Sequence, residues 1–365
     1  MSHFDFVVIG AGIAGASVAG EIAGDASVLL LEVESQPGYH STGRSNALWH
    51  ETYGGPTVQP LTAASKKWFE IRGFLSPRPT VTIGRRGSEA SLKKMAEAFP
   101  PALLQPVDRR ALELILPDVR PTWDRGLIEV SSADIDVAGV HSSYLGEARR
   151  RGASTACDEA LVSAVREKGH WLVKTSRRSL TAGVIVNAAG AWADDVALRC
   201  SVVPIGLQPY RRTIVQLRLA VQVAANLPMI MDIDGTFYFK PDSGNRIWLS
   251  PHDETPSSAC DAAPEELDIA LAIERFQSVV EWKVEVVERA WAGLRTFAKD
   301  RLPVYGFDTE RTGFFWCAGQ GGFGIQTAPA AAKLCSSLLL KTKADPMVAH
   351  LEPDVYAPLR LRLLA

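Results

Sequence analysis

The chain has 365 residues, which suits about two domains, and 47% of them are hydrophobic, enough for a large core. Its formal net charge is -2, so no basic surface for a nucleic acid is expected. No apolar run is long enough for a membrane span, and the five scattered cysteines show neither a metal-binding spacing nor a disulfide framework. We therefore expect a cytoplasmic protein with reduced thiols, no transmembrane segment and no bound metal; peripheral contact with the inner membrane is left open.

The N-terminal region predicts a β-α-β unit that binds a dinucleotide. Residues 4–9 form an apolar strand pattern, followed by a G-x-G-x-x-G motif, a helix of small residues and a second strand. In this motif Gly10 permits a tight turn, Gly12 lets backbone N–H groups approach a pyrophosphate, and Gly15 allows close packing of helix on strand. Glu32 ends the second strand, where it can accept hydrogen bonds from an adenosine ribose, so NADP is disfavoured.

The rest of the chain continues with helical and strand patterns. A polar, turn-rich segment at 35–46 is well placed to wrap the remainder of a dinucleotide. The later elements are predicted, in chain order, as helices at 61–74 and 87–98, a strand at 126–136, a hairpin at 159–174, a strand-to-helix unit at 184–193, antiparallel strands at 211–219, 237–242 and 246–251, a helix at 263–280, and a strand at 314–318 followed by a helix to about 341.

This order predicts an α/β fold (α+β overall) with two interleaved domains. Pieces typical of nucleotide binding lie at the start, the middle and the end of the chain, with antiparallel strands between them. A Rossmann-type dinucleotide-binding domain is predicted to consist of 1–60, 137–205 and 290–365. An antiparallel-sheet substrate domain is predicted from 61–136 and 206–289.

The glycine cluster at 319–324 favours FAD over NAD as the dinucleotide. An enzyme that reduces flavin with NAD(P)H would need a second G-x-G-x-x-G unit, and the chain has one. The cluster precedes the last long helix, and a cofactor contacted at the start, middle and end of the chain is more extended than NAD. The positive end of that helix could stabilise negative charge on a reduced flavin ring. The first domain is therefore predicted to be an FAD-binding domain.

Several segments together resemble the D-amino acid oxidase/dehydrogenase family of flavoproteins, and within it the bacterial D-arginine dehydrogenases most closely. These segments are the N-terminal motif and residues 36–45, 187–192, 291–295 and 319–326. The resemblance implies a noncovalent FAD and oxidation of a D-amino acid to an imino acid, which water hydrolyses to a 2-oxo acid. It also implies a quinone-type electron acceptor in preference to oxygen.

The resemblance further implies which residues contact the flavin dinucleotide. They correspond here to Gly10, Gly12, Ile13, Ala14, Gly15, Glu32, Ser41, Thr42, Gly43, Arg44, Ser45, Asn46, Ala47, Leu48, Val162, Ala189, Gly190, Trp192, Gly321, Phe323, Gly324, Ile325 and Gln326.

In the family, two arginines hold the substrate carboxylate, and they match Arg212 and Arg295; two pocket tyrosines match Tyr53 and Tyr238, and the backbone of Gly322 would meet the substrate amine. A guanidinium binds a carboxylate through two parallel hydrogen bonds, which would hold the α-carbon in line for hydride transfer to flavin N5 without a strong side-chain base. From the residues alone, Arg212 is equally compatible with a solvated strand face. Tyr238, in an alternating Phe-Tyr-Phe strand, is more typical of a core position than of a site. Arg295, in an apolar context, needs an anionic partner if buried.

The chain departs from the D-arginine enzymes in the pocket for the substrate side chain. Leu48 stands where they have a histidine, and Thr80 where they have the glutamate that binds guanidinium. Without that carboxylate, a cationic substrate side chain would lose its hydration without gaining an ion-pair partner, which is unfavourable for binding. Neutral or apolar D-amino acids are therefore predicted as substrates. His50 is either a substitute imidazole or an ordinary loop histidine. A glycine/sarcosine-type amine oxidase using oxygen, a 2-hydroxy acid dehydrogenase and a flavin subunit of an electron-transfer complex are the alternatives.

Overall fold

The computed structural model describes residues 2–362, which form two large sheets, one small sheet and nine α-helices within that range. The strands are β1 (His3–Ile9), β2 (Val28–Leu31), β3 (Leu48–Trp49), β4 (Leu75–Pro77), β5 (Thr80–Arg85), β6 (Gln105–Val107), β7 (Trp123–Glu129), β8 (Ala133–Ile135), β9 (Ser154–Ala156), β10 (Leu161–Glu167), β11 (His170–Thr175), β12 (Ser179–Asn187), β13 (Gln208–Leu219), β14 (Met229–Asp232), β15 (Tyr238–Pro241), β16 (Arg246–Ser250), β17 (Thr255–Pro256), β18 (Val284–Phe297), β19 (Val304–Phe307) and β20 (Phe314–Ala318). The helices are α1 (Ile13–Ile22), α2 (Gln59–Ile71), α3 (Glu89–Glu97), α4 (Arg109–Ile115), α5 (Val137–Arg150), α6 (Ala193–Arg199), α7 (Glu266–Gln277), α8 (Gly324–Leu340) and α9 (Leu359–Arg362), with 3₁₀ turns at Gly190–Trp192 and Pro353–Tyr356.

The first large sheet has the parallel centre of a Rossmann-type domain. Its order is β10-β11-β12-β1-β2-β9, with β20 parallel to β12 and β19 antiparallel to β20. The strand β2 is buried along its whole length, as expected for a parallel strand with both faces covered. One face packs on the apolar sides of α1 and α8, and the other on α6. The predicted α/β fold is confirmed.

The second large sheet is mainly antiparallel. Its order is β17-β13-β16-β15-β14-β5-β7-β6, and β18 pairs with the outer side of β13 along almost its full length. The pair β5–β14 is parallel, which the sequence patterns did not indicate. The small sheet β3-β8-β4 has its own strand pairing and contacts the second large sheet through Asp134 and Lys240.

The two faces of the second sheet differ sharply in polarity. Because side chains alternate along a strand, Tyr238 points away from Phe237 and Phe239 and lies on the same face as Ser250, its antiparallel partner. The same face carries Arg212. The opposite face forms an apolar core against α7, with Val81, Ile83, Val215, Leu217, Ile230, Phe237, Phe239, Ile247 and Leu249 among its buried members.

The structure differs from the predicted boundaries in three places. The strand predicted at 126–136 is two strands, β7 and β8, which belong to different sheets. Helix α7 spans Glu266–Gln277, shorter than the predicted 263–280. Strand β18 runs to Phe297, so residues 290–297 belong to the second sheet although they were assigned to the FAD-binding domain. Among residues 2–362, no helix combines the length and the apolar character that crossing a bilayer requires. The five cysteines are free; Cys200, Cys317 and Cys335 are buried, whereas Cys157 is partly exposed and Cys260 is exposed.

Candidate active site

The glycine-rich turn after β1 is packed too closely to hold side chains. Gly10 has φ +97°, and a Cβ there would lie 2.6 Å from the carbonyl oxygen of Ala188. A Cβ on Gly15 would lie 1.9 Å from the carbonyl oxygen of Gly10. These contacts draw the start of α1 against β1 and against the end of β12, as the motif predicts.

Two polar side chains hold the start of α1. Thr42 Oγ1 accepts a hydrogen bond from the backbone N–H of Ile13 at 3.0 Å, and Glu32 Oε2 accepts one from the N–H of Ala11 at 2.8 Å. Both side chains are buried. The segment that follows β2 is thereby fastened to the glycine turn, although more than twenty residues separate them in the chain.

A cavity of about 380 Å³ extends between the two large sheets, from the start of α1 to the start of α8. The predicted residues that line it are Gly10, Gly12, Ile13, Ala14, Glu32, Ser41, Thr42, Arg44, Ser45, Asn46, Ala189, Gly190, Trp192, Arg212, Arg295, Gly321, Gly322, Gly324 and Ile325. Residues that the sequence reasoning missed include Ile9, Leu31, Tyr39, His40, Glu159, Ala160, Leu161, Asp195, Arg199 and Ile214. Ile9 and Leu31 could have been found, because ligands of such sheets bind at the carboxyl ends of the strands.

Other predicted residues lie outside the cavity wall. They are Gly15, Gly43, Ala47, Leu48, His50, Tyr53, Thr80, Val162, Tyr238, Phe323 and Gln326. Val162 is 43% exposed, and the preceding Leu161 lines the cavity. Phe323 is buried against Val58 and Phe297, and it supports the wall from behind.

The arginines Arg212 and Arg295 come together from neighbouring strands. In the β13–β18 pair, Arg212 is opposite Gly293 and Tyr210 is opposite Arg295, so the two guanidinium groups leave the same face as diagonal neighbours. Arg295 donates hydrogen bonds from Nη1 to the Tyr53 hydroxyl and from Nη2 to the Tyr238 hydroxyl, the second at 3.3 Å.

Arg212 is only 3% exposed and is held from its outer side. Its Nε donates to the carbonyl oxygen of Asp253 at 2.7 Å, and its Nη2 donates to Glu254 Oε1 at 3.0 Å. Its Nη1 is buried and has no hydrogen-bond partner within residues 2–362. A buried N–H without a partner is unfavourable, so this atom is a ready donor for an anionic ligand.

The two positive charges change the acidity of their neighbours. Burial, together with the charge of Arg295, lowers the pKa of Arg212 from its usual value. Burial alone would raise the pKa of the Tyr238 hydroxyl. The positive charges of Arg295 and Arg212 outweigh burial and lower that pKa. Burial and the same two charges lower the pKa of His252 to about 3, so its imidazole is neutral at physiological pH. The site therefore favours a bound anion.

The family profile described as FAD dependent oxidoreductase (DAO) matches residues 5–338. The chain belongs to this family. The human mitochondrial dimethylglycine dehydrogenase is 25% identical over 257 residues, which cover 63% of this chain and 29% of that protein. The chain thus matches less than a third of that relative's length.

Solved structures of the same fold cover nearly the whole chain. L-proline dehydrogenase from P. horikoshii has a TM-score of 0.84 and 19% identity, covering 99% of this chain and 98% of that one. Glycine oxidase from Geobacillus kaustophilus has a TM-score of 0.81 and 18% identity, covering 96% and 99%. At this identity the likeness establishes the fold.

FAD is the cofactor of this flavoenzyme, and the residues of the cavity fit it. The start of α1 lines one end of the cavity, and its first N–H groups lack acceptors within the helix. Gly190, with φ +55°, has no atom within 4 Å of the place a Cβ would take, so its backbone borders open space. The unpartnered Nη1 of Arg212 and the start of α8 lie toward the other end.

The predicted pocket residue His50 is buried behind the cavity wall, where it contacts neighbouring polar side chains. Its Nε2 lies 3.2 Å from Glu129 Oε2 and 2.9 Å from Thr52 Oγ1. Gln326 also acts here: its Nε2 donates to the carbonyl oxygens of His50 at 3.1 Å and Tyr53 at 3.2 Å. These bonds fix the loop that carries Tyr53. The interpretation of His50 as a substitute imidazole in the cavity wall is therefore not supported by its position.

Proposed function

We propose that this flavoenzyme oxidises D-amino acids with neutral or apolar side chains to imino acids, which water then hydrolyses to 2-oxo acids and ammonia. The observation that carries the proposal is the pair Arg212 and Arg295 on the wall of the FAD cavity. Arg212 has a free N–H, and the partners of Arg295 are neutral hydroxyls. Such a pair is suited to a carboxylate.

The remaining cavity residues would hold the cofactor. The start of α1 and Thr42 would lie at the pyrophosphate, and Glu32 would lie near the adenosine ribose. The backbone of residues 321–325 would lie along the ring, beside the arginine pair. When bound, FAD supplies the acceptor for the hydride that leaves the substrate α-carbon.

The protein's own contribution is to position the substrate. Tyr53 and Tyr238 fix the planar guanidinium of Arg295, so little side-chain freedom is lost when a carboxylate binds. Arg212 and Arg295 together are called the clamp. A Cβ on Gly322 would lie 2.8 Å from Arg295 Nη1, so the backbone of Gly322 lies next to the clamp, where it would meet the substrate amine. An amine delivered in its neutral form needs no strong side-chain base.

Leu48 and Thr80 lie outside the cavity wall, but the carboxylates beside them bear on whether a cationic substrate side chain could find a partner. Thr80 is 1% exposed, and its strand partner is Glu129, whose carboxylate is occupied by His50 and Thr52. The partner of Leu48 is Asp134, which pairs with Lys240 Nζ at 2.7 Å. Neither carboxylate is available for a cationic side chain, so D-arginine is expected to react poorly.

The test is anaerobic mixing of the FAD-loaded protein with D- and L-amino acids while the flavin absorbance is followed. Neutral D-amino acids should bleach the flavin, and D-arginine should do so slowly. Arg295→Met should abolish bleaching while FAD stays bound. The matched control is Arg289→Met, an exposed arginine of the same strand, which should react like the wild type. Bleaching by Arg295→Met at the wild-type rate would remove that residue from the proposal.

A second candidate is oxidation of an N-substituted amino acid or glycine. It is favoured by the similarity to dimethylglycine dehydrogenase, since dimethylglycine is N-substituted, as is the proline of the P. horikoshii enzyme. Sarcosine, dimethylglycine, proline and glycine in the same assay separate the two candidates. We propose a quinone-type acceptor; peroxide release in step with substrate loss in air would instead indicate oxygen.

A further inference from the structure

Arg212, one arginine of the clamp, already has carboxylates from the protein itself: Glu254 is hydrogen-bonded to it, and Asp253 Oδ1 lies 4.0 Å from its Nε. Glu254 Oε1 accepts from Arg212 Nη2 at 3.0 Å and from Arg301 Nη2 at 2.8 Å, and its Oε2 accepts from the same Arg301 nitrogen at 3.0 Å. The Glu254 side chain is 36% exposed, whereas that of Arg212 is 3% exposed. Glu254 thus reaches from the surface to the buried guanidinium.

Arg295 differs in this respect. Its hydrogen-bond partners are Tyr53 and Tyr238, and within residues 2–362 no carboxylate lies within ion-pair distance of it. The clamp therefore combines Arg295, which has no carboxylate at ion-pair distance within residues 2–362, with Arg212, which has two, Glu254 and Asp253. Together they can accept one substrate carboxylate, at Arg295 and at the free Nη1 of Arg212.

Arg301 keeps Glu254 in this place. Its guanidinium lies 3.9 Å from the centre of the Phe297 ring, and it binds both oxygens of Glu254. Phe297 in turn packs against Phe323 and Val58 behind the cavity wall. Glu254 is thereby anchored between a buried cation and a stacked, half-exposed one.

We infer that Glu254 is a specificity-determining residue that restricts the site to substrates with a single carboxylate. The inference rests on the proposed function, because it concerns which amino acids the clamp admits. A second carboxylate near Arg212 would meet the negative charge of Glu254, and like charges brought together in a poorly solvated site repel strongly. If Glu254 were neutral, Arg212 Nη2 and Arg301 Nη2, which it now binds, would be available to a second anion, and Asp253 near Arg212 Nε would be the remaining carboxylate.

The experiment compares the wild type with Glu254→Gln, which keeps the shape of the side chain and removes its charge. Glu265→Gln is the matched control, because Glu265 is an exposed carboxylate paired with Arg211, the residue next to Arg212. The ratio of kcat/KM for D-glutamate to that for D-alanine should rise about tenfold or more in Glu254→Gln. It should stay unchanged in Glu265→Gln.

A binding measurement tests Glu254 independently of turnover. Acetate and succinate are titrated into the FAD-loaded proteins, and the perturbation of the flavin spectrum gives their affinities. Glu254→Gln should gain affinity for succinate relative to acetate. An unchanged succinate-to-acetate ratio, or loss of binding of both anions, overturns the inference, since the latter assigns Glu254 only a structural role. If no amino acid bleaches the wild-type flavin, the proposed function fails, while the anion titration still decides the role of Glu254.

Discussion

A methyl group on Gly322 would stand 2.5 Å from the hydroxyl oxygen of Tyr53. Nonbonded carbon and oxygen atoms do not approach so closely, so the tyrosine can reach Arg295 only because residue 322 has no side chain. The same methyl group would lie 2.8 Å from Arg295 Nη1. Gly322 and Tyr53 thus determine together where the guanidinium of Arg295 stands.

Gly322→Ala should therefore displace the tyrosine and the arginine from the clamp. We expect kcat/KM for the best substrate to fall by about tenfold or more, since small displacements of positioning groups are costly, while FAD remains bound. Tyr53→Phe removes the oxygen that the methyl group meets, so the double variant should lose less activity than the two single variants predict together. Additive losses would show that Gly322 does not act through Tyr53.

Gly15→Ala is expected to prevent FAD binding. The added Cβ would lie 1.9 Å from the carbonyl oxygen of Gly10, a backbone atom that cannot move without opening the turn at the start of α1. The control is Gly146→Ala in α5, where the nearest atom is the flexible end of Arg150 at 3.4 Å. Purified Gly15→Ala should be colourless and the control yellow. A yellow Gly15→Ala protein would contradict this account of the turn.

Local signals accounted for the first β-α-β unit and for most strands. The tight turn at Gly10, the acid at Glu32 and the alternation of Phe237, Tyr238 and Phe239 are all properties of neighbouring residues, and the structure contains each of them. The alternation predicts that Tyr238 lies on the other face of the sheet from the two phenylalanines. Which of the two faces borders the FAD cavity depends on packing between distant segments. For that reason the residues alone favoured a core position for Tyr238.

Three further positions depend on contacts between distant segments in the same way. Val162 lies on the correct strand, but the strand's orientation, which contacts elsewhere determine, turns its neighbour Leu161 toward the cavity. His50 lies in the predicted region, yet its partner is the distant Glu129. Glu254 belongs to no motif. It lies beside Arg212 because the loop after β16 leads into β17, which pairs with β13 next to Arg212.

The buried His252 predicts a pH dependence of stability. Its Nδ1 lies 2.5 Å from the carbonyl oxygen of Gly235, so Nδ1 carries the proton, and burial with the nearby arginines lowers the pKa to about 3 from 6.5. Between pH 3 and pH 6.5, His252 is protonated in the unfolded chain but not in the folded chain. Stability should therefore fall as pH falls from 6.5 toward 3, by up to about 1.4 kcal/mol per pH unit from this residue.

His252→Asn tests this contribution, because asparagine does not titrate and tolerates the left-handed backbone at this position, where φ is +55°. The free energy of unfolding is measured by denaturant titration at pH 7 and pH 5.5. The variant should lose less stability between the two values than the wild type. Equal losses would show that His252 titrates normally in the folded protein.

The carboxylate of Glu129 is expected to stabilise the loop that carries Tyr53. It accepts hydrogen bonds from the N–H groups of Glu51 at 2.8 Å and Thr52 at 3.2 Å, and from the Thr52 hydroxyl at 2.8 Å. Burial alone would raise its pKa, but His50 and these hydrogen bonds lower the pKa of Glu129 to about 2 from 4.5. A lowered carboxyl pKa stabilises the folded state above pH 4.5, and the stabilisation disappears as pH falls toward 2.

Glu129→Gln should accordingly reduce the free energy of unfolding by about 3 kcal/mol at pH 7, and the difference from the wild type should narrow below pH 4.5. The exposed Glu97→Gln, at the end of α3, is the control and should change stability little. Because the loop positions Tyr53, the Glu129 variant should also bind acetate more weakly in the flavin titration. A difference in stability that stays constant from pH 7 to pH 3 would mean that the carboxylate is not selectively stabilised in the fold, and the link from Glu129 through Tyr53 to Arg295 would lose its energetic basis.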